Sequence, residues 1–275
     1  MFLPPLHLAP LSTESMSLPV KVIHNLVRST RDIVQRGWYV APSQQKVIFK
    51  DAQDAACACT AVASHLAKPR YRRTYEATSI MVHNQTSLAV GHAWQQRGYR
   101  VAVVNPTPLR LCHPSLIRSV AEQNILMRSS GLAECIFKSG SYVLHQRAEP
   151  VVVPQLPILR THDGDLLDKP WNCDVITLAD DAFDQGIDSQ RRELVVQWLQ
   201  RVVHAVQHVG ANIVVLTIGN DVNATVLVRL IYDALIRVKL HAIAAINIAV
   251  TDLTFERSVW LPFQQQFDGL TITNR

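Results

Sequence analysis

The chain has 275 residues, of which 48% are hydrophobic and 18% are charged. This composition supports a sizeable core and excludes the disordered and coiled-coil classes of protein. The formal net charge of +5 is compatible with a phosphate-bearing ligand, but it is too small to indicate a nucleic-acid-binding surface by itself.

The first 19 residues predict an irregular arm, because Pro4, Pro5 and Pro10 interrupt their apolar sequence. This arm lacks the basic region of a signal peptide, and no segment offers about 20 uninterrupted apolar residues to span a bilayer. We therefore expect a protein of the cytoplasm or the nucleus that does not bind a membrane. The five cysteines form no CxxC pair, and their odd number predicts reduced thiols rather than a disulfide framework.

From residue 20 onward, segments with helical periodicity alternate with short apolar runs. The predicted helices are 20–35, 55–66, 87–96, 116–127, 191–208 and 226–239. The predicted strands are 45–49, 78–82, 101–104, 151–153, 175–178, 213–216 and 246–250. This order is typical of a doubly wound α/β sheet with buried strands, and it predicts a single domain over residues 20–275 that follows the arm at 1–19.

Ligands of such sheets bind at the carboxyl ends of the strands, where loops meet the N-termini of helices. The loops after Val104 and Leu216 are therefore the candidate ligand loops. Asn105, at the end of the first of these strands, is the strongest polar candidate, although an asparagine there could simply form a turn.

Five segments in chain order resemble the microbial-type poly(ADP-ribose) glycohydrolases, a branch of the macrodomain superfamily. The family patterns are T-x-x-I-L-x-x-G-x-Y, T-x-I-x-V-x-N-x-T-T-L-x-A-A, V-L-N, L-C-R-S-S-G-L and V-P-V-F-R-D-x-x-G-x-L-L. The matching segments of this chain, in the same order, are Thr30–Tyr39, Thr78–Ala89, Val103–Asn105, Leu126–Leu132 and Pro157–Leu167. The matches extend over roughly residues 20–252.

This resemblance implies a macrodomain-like three-layer α/β/α fold with a central mixed, mostly parallel sheet and an N-terminal helical extension. It also implies ADP-ribose, or an ADP-ribosylated protein, as the partner, without a cofactor or metal. A nucleic-acid partner is not expected. His204 and His208 have the i, i+4 spacing of a zinc pair, but the sequence supplies no third ligand nearby, so no metal site is predicted.

The sequence departs from the family at the catalytic motif. The family segment A-Q-E-E aligns with residues 121–124, so Glu122, Gln123 and Asn124 occupy the motif and Asn124 stands at the position of the catalytic glutamate. Glycoside hydrolysis needs a carboxyl group to protonate the leaving oxygen, and an amide cannot do this. We therefore expect no catalytic residue. Glu122 is an alternative acid/base. It lies two residues before Asn124, however, and on a helix this separation turns its side chain about 200° away from that of Asn124.

Both glycine-rich loops of the family are also altered. Residues 111–116 replace a P-G-G-G loop without any glycine, and residues 217–222 replace a G-A-W-G-C-G loop with one glycine. Glycines let backbone N–H groups approach a diphosphate closely, so both changes bear on ligand binding. The expected ligand-binding residues are Asn105, His113, Ser115, Asn124, Gly219 and Asn220.

Three hypotheses about function follow from these residues. The first is a catalytically inactive macrodomain-like protein that binds ADP-ribose or a related nucleotide. The second is an active ADP-ribosyl glycohydrolase that uses Glu122. The third is a non-enzymatic protein-interaction module whose cleft is filled by side chains of the 111–116 loop.

Overall fold

A computed structural model of the chain describes residues 20–65, 74–106, 125–141, 149–178, 189–218, 223–252 and 258–274, together with Leu3, Leu6 and Leu8. Its helices are α1 Val20–Arg36, α2 Lys50–Ala58, α3 Ser87–Gln96, α4 Ile125–Ser129, α5 Leu132–Lys138, α6 Ser189–Val209, α7 Ala224–Arg237 and α8 Trp260–Phe267. Its strands are β1 Trp38–Val40, β2 Lys46–Ile48, β3 Ala61–Val62, β4 Ala77–His83, β5 Val101–Asn105, β6 Val151–Arg160, β7 Leu166–Thr177, β8 Ile213–Ile218, β9 Ala245–Val250 and β10 Thr271–Thr273.

Eight of these strands form one sheet in the order β10-β4-β9-β8-β5-β7-β6-β3, and β1 pairs with β2 in a separate hairpin. The five central strands β4, β9, β8, β5 and β7 run parallel, whereas β10, β6 and β3 join the sheet antiparallel. The three innermost strands, β9, β8 and β5, are buried throughout and almost entirely apolar, as expected for parallel strands that are covered on both faces. The prediction of a mixed, mostly parallel sheet is confirmed.

Helices cover both faces of the sheet and create two apolar cores. Side chains of α6, α7 and α8 pack on one face, against residues such as Val104 and Leu216. Side chains of α2, α3, α4 and α5 pack on the other face, against residues such as Val103 and Val215. We call the second face the α3 face. Leu6 of the predicted arm is also buried on it, and the rest of that arm lies largely outside the described residues.

The N-terminal helix α1 is fixed to the domain by Thr30, which is buried. The Thr30 hydroxyl donates to the carbonyl oxygen of Arg128 in α4 at 2.7 Å and accepts from Nε of Arg160 in β6 at 2.8 Å. The same guanidinium donates through Nη2 to Ser29 and through Nη1 to the carbonyl oxygen of Gly164. Three segments of the family resemblance therefore meet at one hydrogen-bonded junction.

Several elements differ in length from their predictions. Strands β6 and β7 form a hairpin of 10 and 12 residues, far longer than the predicted 151–153 and 175–178. Its turn carries Gly164 at φ +98°. The helix predicted at 55–66 is instead α2, which begins at Lys50 and ends at Ala58. The segment after it turns away because Ala61 and Val62 pair with β6.

No helix within the described part of the chain combines the length and the apolar composition that a bilayer span requires. Cys57, Cys59, Cys135 and Cys173 are free thiols. Cys57 lies in α2 and is buried, whereas Cys59, the residue that caps the end of α2, is exposed.

Candidate functional site at the carboxyl ends of the parallel strands

A row of polar side chains crosses the sheet at the carboxyl ends of the parallel strands. His83 of β4 pairs with Ala249 of β9, which pairs in turn with Thr217 of β8. Asn105 of β5 pairs with Thr177 of β7, and it lies beside Thr217 because the residues preceding these two are themselves paired. Strand alternation places all five side chains on the α3 face. We call His83, Thr217, Asn105 and Thr177 the polar row.

Hydrogen bonds fix the central part of the polar row. The Thr217 hydroxyl donates to the carbonyl oxygen of Val104 at 2.8 Å, which ties the end of β8 to the end of β5. Nδ2 of Asn105 donates to Oγ1 of Thr177 across 3.4 Å, and the Asn105 carbonyl oxygen accepts from the backbone N–H of Leu178 at 3.1 Å. Asn105 and Thr177 are 1% and 0% exposed. Hydrogen bonds therefore hold these polar side chains in fixed positions at the carboxyl edge of the sheet.

One step below the row, Asn247 of β9 connects His83 to Trp94 of α3. Oδ1 of Asn247 lies 2.9 Å from both Nε1 of Trp94 and Nε2 of His83. An indole N–H can only donate, so the shared atom is the amide oxygen and Nε2 of His83 carries a hydrogen. Burial lowers the pKa of His83, while Asn247 and Asp268 act in the opposite direction. The net lowering of the pKa favours the neutral form of His83.

Fixed polar contacts also close the edge of the sheet where β4 and β9 end. Nδ2 of Asn84 donates to the carbonyl oxygen of Asp252 at 3.2 Å, and its Oδ1 accepts from the Asp252 N–H at 3.1 Å. Oδ2 of Asp252 accepts from the backbone N–H groups of Val259 and Trp260 at 2.7 and 2.9 Å. This carboxylate therefore caps the N-terminus of α8. Thr86 similarly caps α3, because its hydroxyl accepts from the N–H of Ala89.

Among the predicted site residues, Asn105 is the one that the structure describes, and it lies at the strand end where the sequence placed it. The other predicted residues lie outside the described part of the chain: His113, Ser115, Glu122, Gln123, Asn124, Gly219 and Asn220. Helix α4 begins at Ile125, directly after the catalytic-motif positions, and it packs against α1 and β6. The described end of the predicted 116–127 helix is thus helical.

His83, Thr177 and Thr217 were not among the residues expected from the sequence, although a signal for the two threonines was present. β5, β8 and the last three residues of β7 each carry a single polar residue next to, or at, the carboxyl end of an apolar run. Burying a polar side chain in a strand costs free energy unless the group is hydrogen-bonded. A ligand site at the carboxyl ends of adjacent parallel strands would explain why such side chains occur there. His83, Asn105 and Thr217 each directly follow a predicted strand, and Thr177 is the next-to-last residue of the predicted strand 175–178.

Other polar features of the described residues lie away from this row. A cavity of about 460 Å³ is bordered by Ser64, Glu149, Arg201 and His204, and it opens beside α6 on the opposite face of the sheet. Within the described ranges, no three His, Cys, Asp or Glu residues are grouped as metal ligands. Burial, followed by His204, lowers the pKa of His208.

Solved structures that share this architecture include poly(ADP-ribose) glycohydrolases. The crystal structure of the Thermomonospora curvata protein has a TM-score of 0.73 at 21% identity, and the match covers 90% of this chain and 100% of that one. The same protein bound to the inhibitor ADP-HPD matches equally well. The Deinococcus radiodurans protein in complex with ADP-ribose has a TM-score of 0.63 at 18% identity, over 78% of this chain and 96% of that one. No protein-family model and no curated protein sequence matches the chain. The chain has the macrodomain-like α/β fold of the microbial poly(ADP-ribose) glycohydrolases.

Proposed function

We propose that this chain binds ADP-ribose, free or attached to a protein, at the carboxyl edge of its sheet and does not hydrolyse it. The observation that carries this proposal is the polar row, which lies at the strand ends where α/β folds bind ligands. The fold adds support, because structures that share it hold ADP-ribose and ADP-HPD. Asn105, the residue predicted from the sequence, belongs to the row.

The chemistry of the row suits a hydroxyl-rich ligand that carries a diphosphate. Four parallel-strand spacings separate β4 from β7, so the row extends over about 19 Å. ADP-ribose carries an adenine, two riboses and a diphosphate, and it needs an extended cleft with donors and acceptors along its length. None of the four side chains is acidic, so the row itself does not repel a diphosphate. The formal net charge of +5 acts in the same direction.

The proposal that the chain does not hydrolyse ADP-ribose rests on two positions, 124 and 252, where a carboxylic acid is either replaced or already hydrogen-bonded. Asn124 stands at the position of the family glutamate, and its amide has no usable proton-transfer pKa. At the described edge of the sheet, the carboxylate of Asp252 is engaged by two N–H groups of α8. An oxygen that accepts from two backbone N–H groups already has a structural role as the cap of α8.

The burial of the row supports a second candidate function, a non-enzymatic interaction module. Asn105 and Thr177 are almost fully covered, as they would be if side chains filled the cleft. The two candidates differ in one property, because only an open cleft admits the nucleotide. If the cleft is filled, the folded protein should not bind ADP-ribose at any concentration.

Calorimetric titration of the full chain with ADP-ribose tests the first proposal, with AMP and ribose 5-phosphate as controls. We expect saturable heat and a rise in melting temperature with ADP-ribose, and weaker effects with the two fragments. Absence of heat and of a thermal shift at millimolar ADP-ribose would overturn the proposal and favour the interaction module.

Hydrolysis is tested separately by release of ADP-ribose from an ADP-ribosylated substrate. We expect no release above the rate without protein, and no change when Glu122 is replaced by alanine. Measurable release that the Glu122→Ala variant loses would contradict inactivity and support the hydrolase hypothesis.

A further inference from the structure

Two cysteines that are far apart in the sequence meet in the core between α2 and α5. The Sγ atoms of Cys57 and Cys135 lie 2.7 Å apart, and both side chains are buried. A disulfide bond has an S–S length of about 2.04 Å, so a movement of about 0.7 Å would join the two sulfurs. The helices that carry them pack directly against each other.

Gln53 places amide hydrogens against both sulfurs. Its Nε2 donates to Cys57 Sγ at 3.3 Å, to Cys135 Sγ at 3.1 Å and to the carbonyl oxygen of Gly131 at 3.2 Å. The carbonyl oxygen is an acceptor only, which fixes the orientation of the amide. A Cβ atom at position 131 would overlap the Gln53 amide, so glycine allows this contact.

The two thiols are electrostatically unequal, as a nucleophile and its resolving partner are. The pKa of Cys57 is lowered to about 7, first by the hydrogen bond from Cys135 and further by Gln53 and Lys138, against the effect of burial. The hydrogen bond with Cys57 and burial raise the pKa of Cys135 above its usual range. Cys57 is 9% exposed and Cys135 is 0% exposed, so the residue with the lower thiol pKa is also the less buried of the two.

We propose that Cys57 and Cys135 form a reversible redox modification site, which a hydroperoxide converts into a disulfide linking α2 to α5. The Cys57 thiolate attacks one peroxide oxygen, which forms an S–O bond, breaks the O–O bond and releases hydroxide. The Cys135 sulfur then attacks the Cys57 sulfur, breaks the S–O bond and releases the second oxygen as water. Two thiols and one hydrogen peroxide molecule thus give one disulfide and two water molecules. An external dithiol reverses the reaction by thiol–disulfide exchange.

This site is independent of the proposed nucleotide binding. The exposed Cys59, two residues from Cys57, provides a matched control, because it has the same sequence neighbourhood without the Cys135 contact. Cys173, buried in β7, provides a second control for oxidation of a buried thiol.

The test is disulfide mapping by mass spectrometry on the full chain, reduced, freed of reductant and treated with one equivalent of hydrogen peroxide. We expect a Cys57–Cys135 peptide pair in the native protein and in Cys59→Ser, reversed by dithiothreitol. We also expect the oxidised protein to melt about 5 to 10 °C higher than the reduced protein, since the bond closes a long loop. In Cys135→Ser, Cys57 should persist as a sulfenic acid that dimedone traps.

Experiments on the native protein alone can refute the proposal, so the test does not require the variants to fold. Both thiols remaining open to alkylation after peroxide treatment would overturn it. So would bonding of Cys57 to Cys59 or Cys112, or oxidation of Cys57 to higher acids without a link to Cys135.

Discussion

The hydroxyl of Thr30 donates to the carbonyl oxygen of Arg128 at 2.7 Å, which joins the N-terminal helix to the helix that directly follows the catalytic-motif positions. The same oxygen accepts from Nε of Arg160 at 2.8 Å. Valine at position 30 would keep the shape of the side chain and leave a buried guanidinium N–H and a buried carbonyl oxygen without this partner. We expect Thr30→Val to lower the free energy of unfolding by about 2 to 3 kcal/mol, as measured by urea denaturation.

Two variants control for the change of residue type at Thr30. Thr30→Ser retains the hydroxyl and should recover most of the loss. Thr271→Val makes the same substitution at an exposed position of β10 and should change stability by less than about 0.5 kcal/mol. Equal stabilities of the Thr30→Val and Thr271→Val variants would contradict the anchoring role of Thr30.

Gly37, which follows the end of α1, is required both for its positive φ and for the close approach of Lys50. Comparison with Gly98 separates these two effects. Gly37 has φ +74°, and a Cβ atom there would lie 2.6 Å from Cβ of Lys50. Gly98 has a similar φ of +81°, but a Cβ atom there would meet nothing within 4 Å. We expect Gly98→Ala to cost about 1 kcal/mol from backbone strain alone. Gly37→Ala should cost at least about 1 kcal/mol more, because overpacking adds to the strain. Equal losses in thermal unfolding would show that the Lys50 contact is relieved without cost.

The half-buried histidine of the polar row, His83, should make stability depend on pH. Burial lowers the folded-state pKa of His83 below its unfolded value of 6.5, so the unfolded chain binds this proton first. The free energy of unfolding should therefore fall as pH decreases below about 6.5, by up to about 1.4 kcal/mol per pH unit for this group, until the folded-state pKa is passed. His83→Gln should flatten this slope in denaturation curves recorded from pH 7.5 to 5.

His204 provides the comparison, because it is exposed on α6. His204→Gln should leave more of the acid slope in place than His83→Gln does. If His83→Gln retains the full slope of the native protein, the burial of His83 does not govern the acid dependence.

The sequence predicted the central sheet well, because apolar runs and helical periodicity are local signals. The hairpin of β6 and β7 was underestimated for a local reason as well. Pro154, Pro157 and Pro170 interrupt the pattern of a strand, since proline lacks the N–H that a ladder needs. Within the described residues, β3 pairs with β6 at Val151 and Val152, so most of β6 has an open side that tolerates proline.

The polar row could not be predicted from the strands taken one at a time, because each strand contributes a single side chain to it. Asn105 was found because it follows a strand and matches a family pattern, whereas Thr177 and Thr217 belong to strands that are distant in sequence. Their meeting depends on the strand order β8-β5-β7, which is a property of the tertiary fold. Likewise, no spacing in the sequence indicates that Cys57 and Cys135 touch, because the contact arises from the packing of α2 on α5.

The most direct test of nucleotide binding compares two alanine variants by titration calorimetry with ADP-ribose. Asn105→Ala removes an amide from the polar row, and Asn212→Ala removes an amide from the opposite edge of the sheet, where Asn212 precedes β8. We expect Asn105→Ala to weaken binding about tenfold, equivalent to about 1.4 kcal/mol, and Asn212→Ala to bind as the native protein does. Equal affinities of the two folded variants, or no binding by the native protein at millimolar ADP-ribose, would contradict a nucleotide site at the polar row.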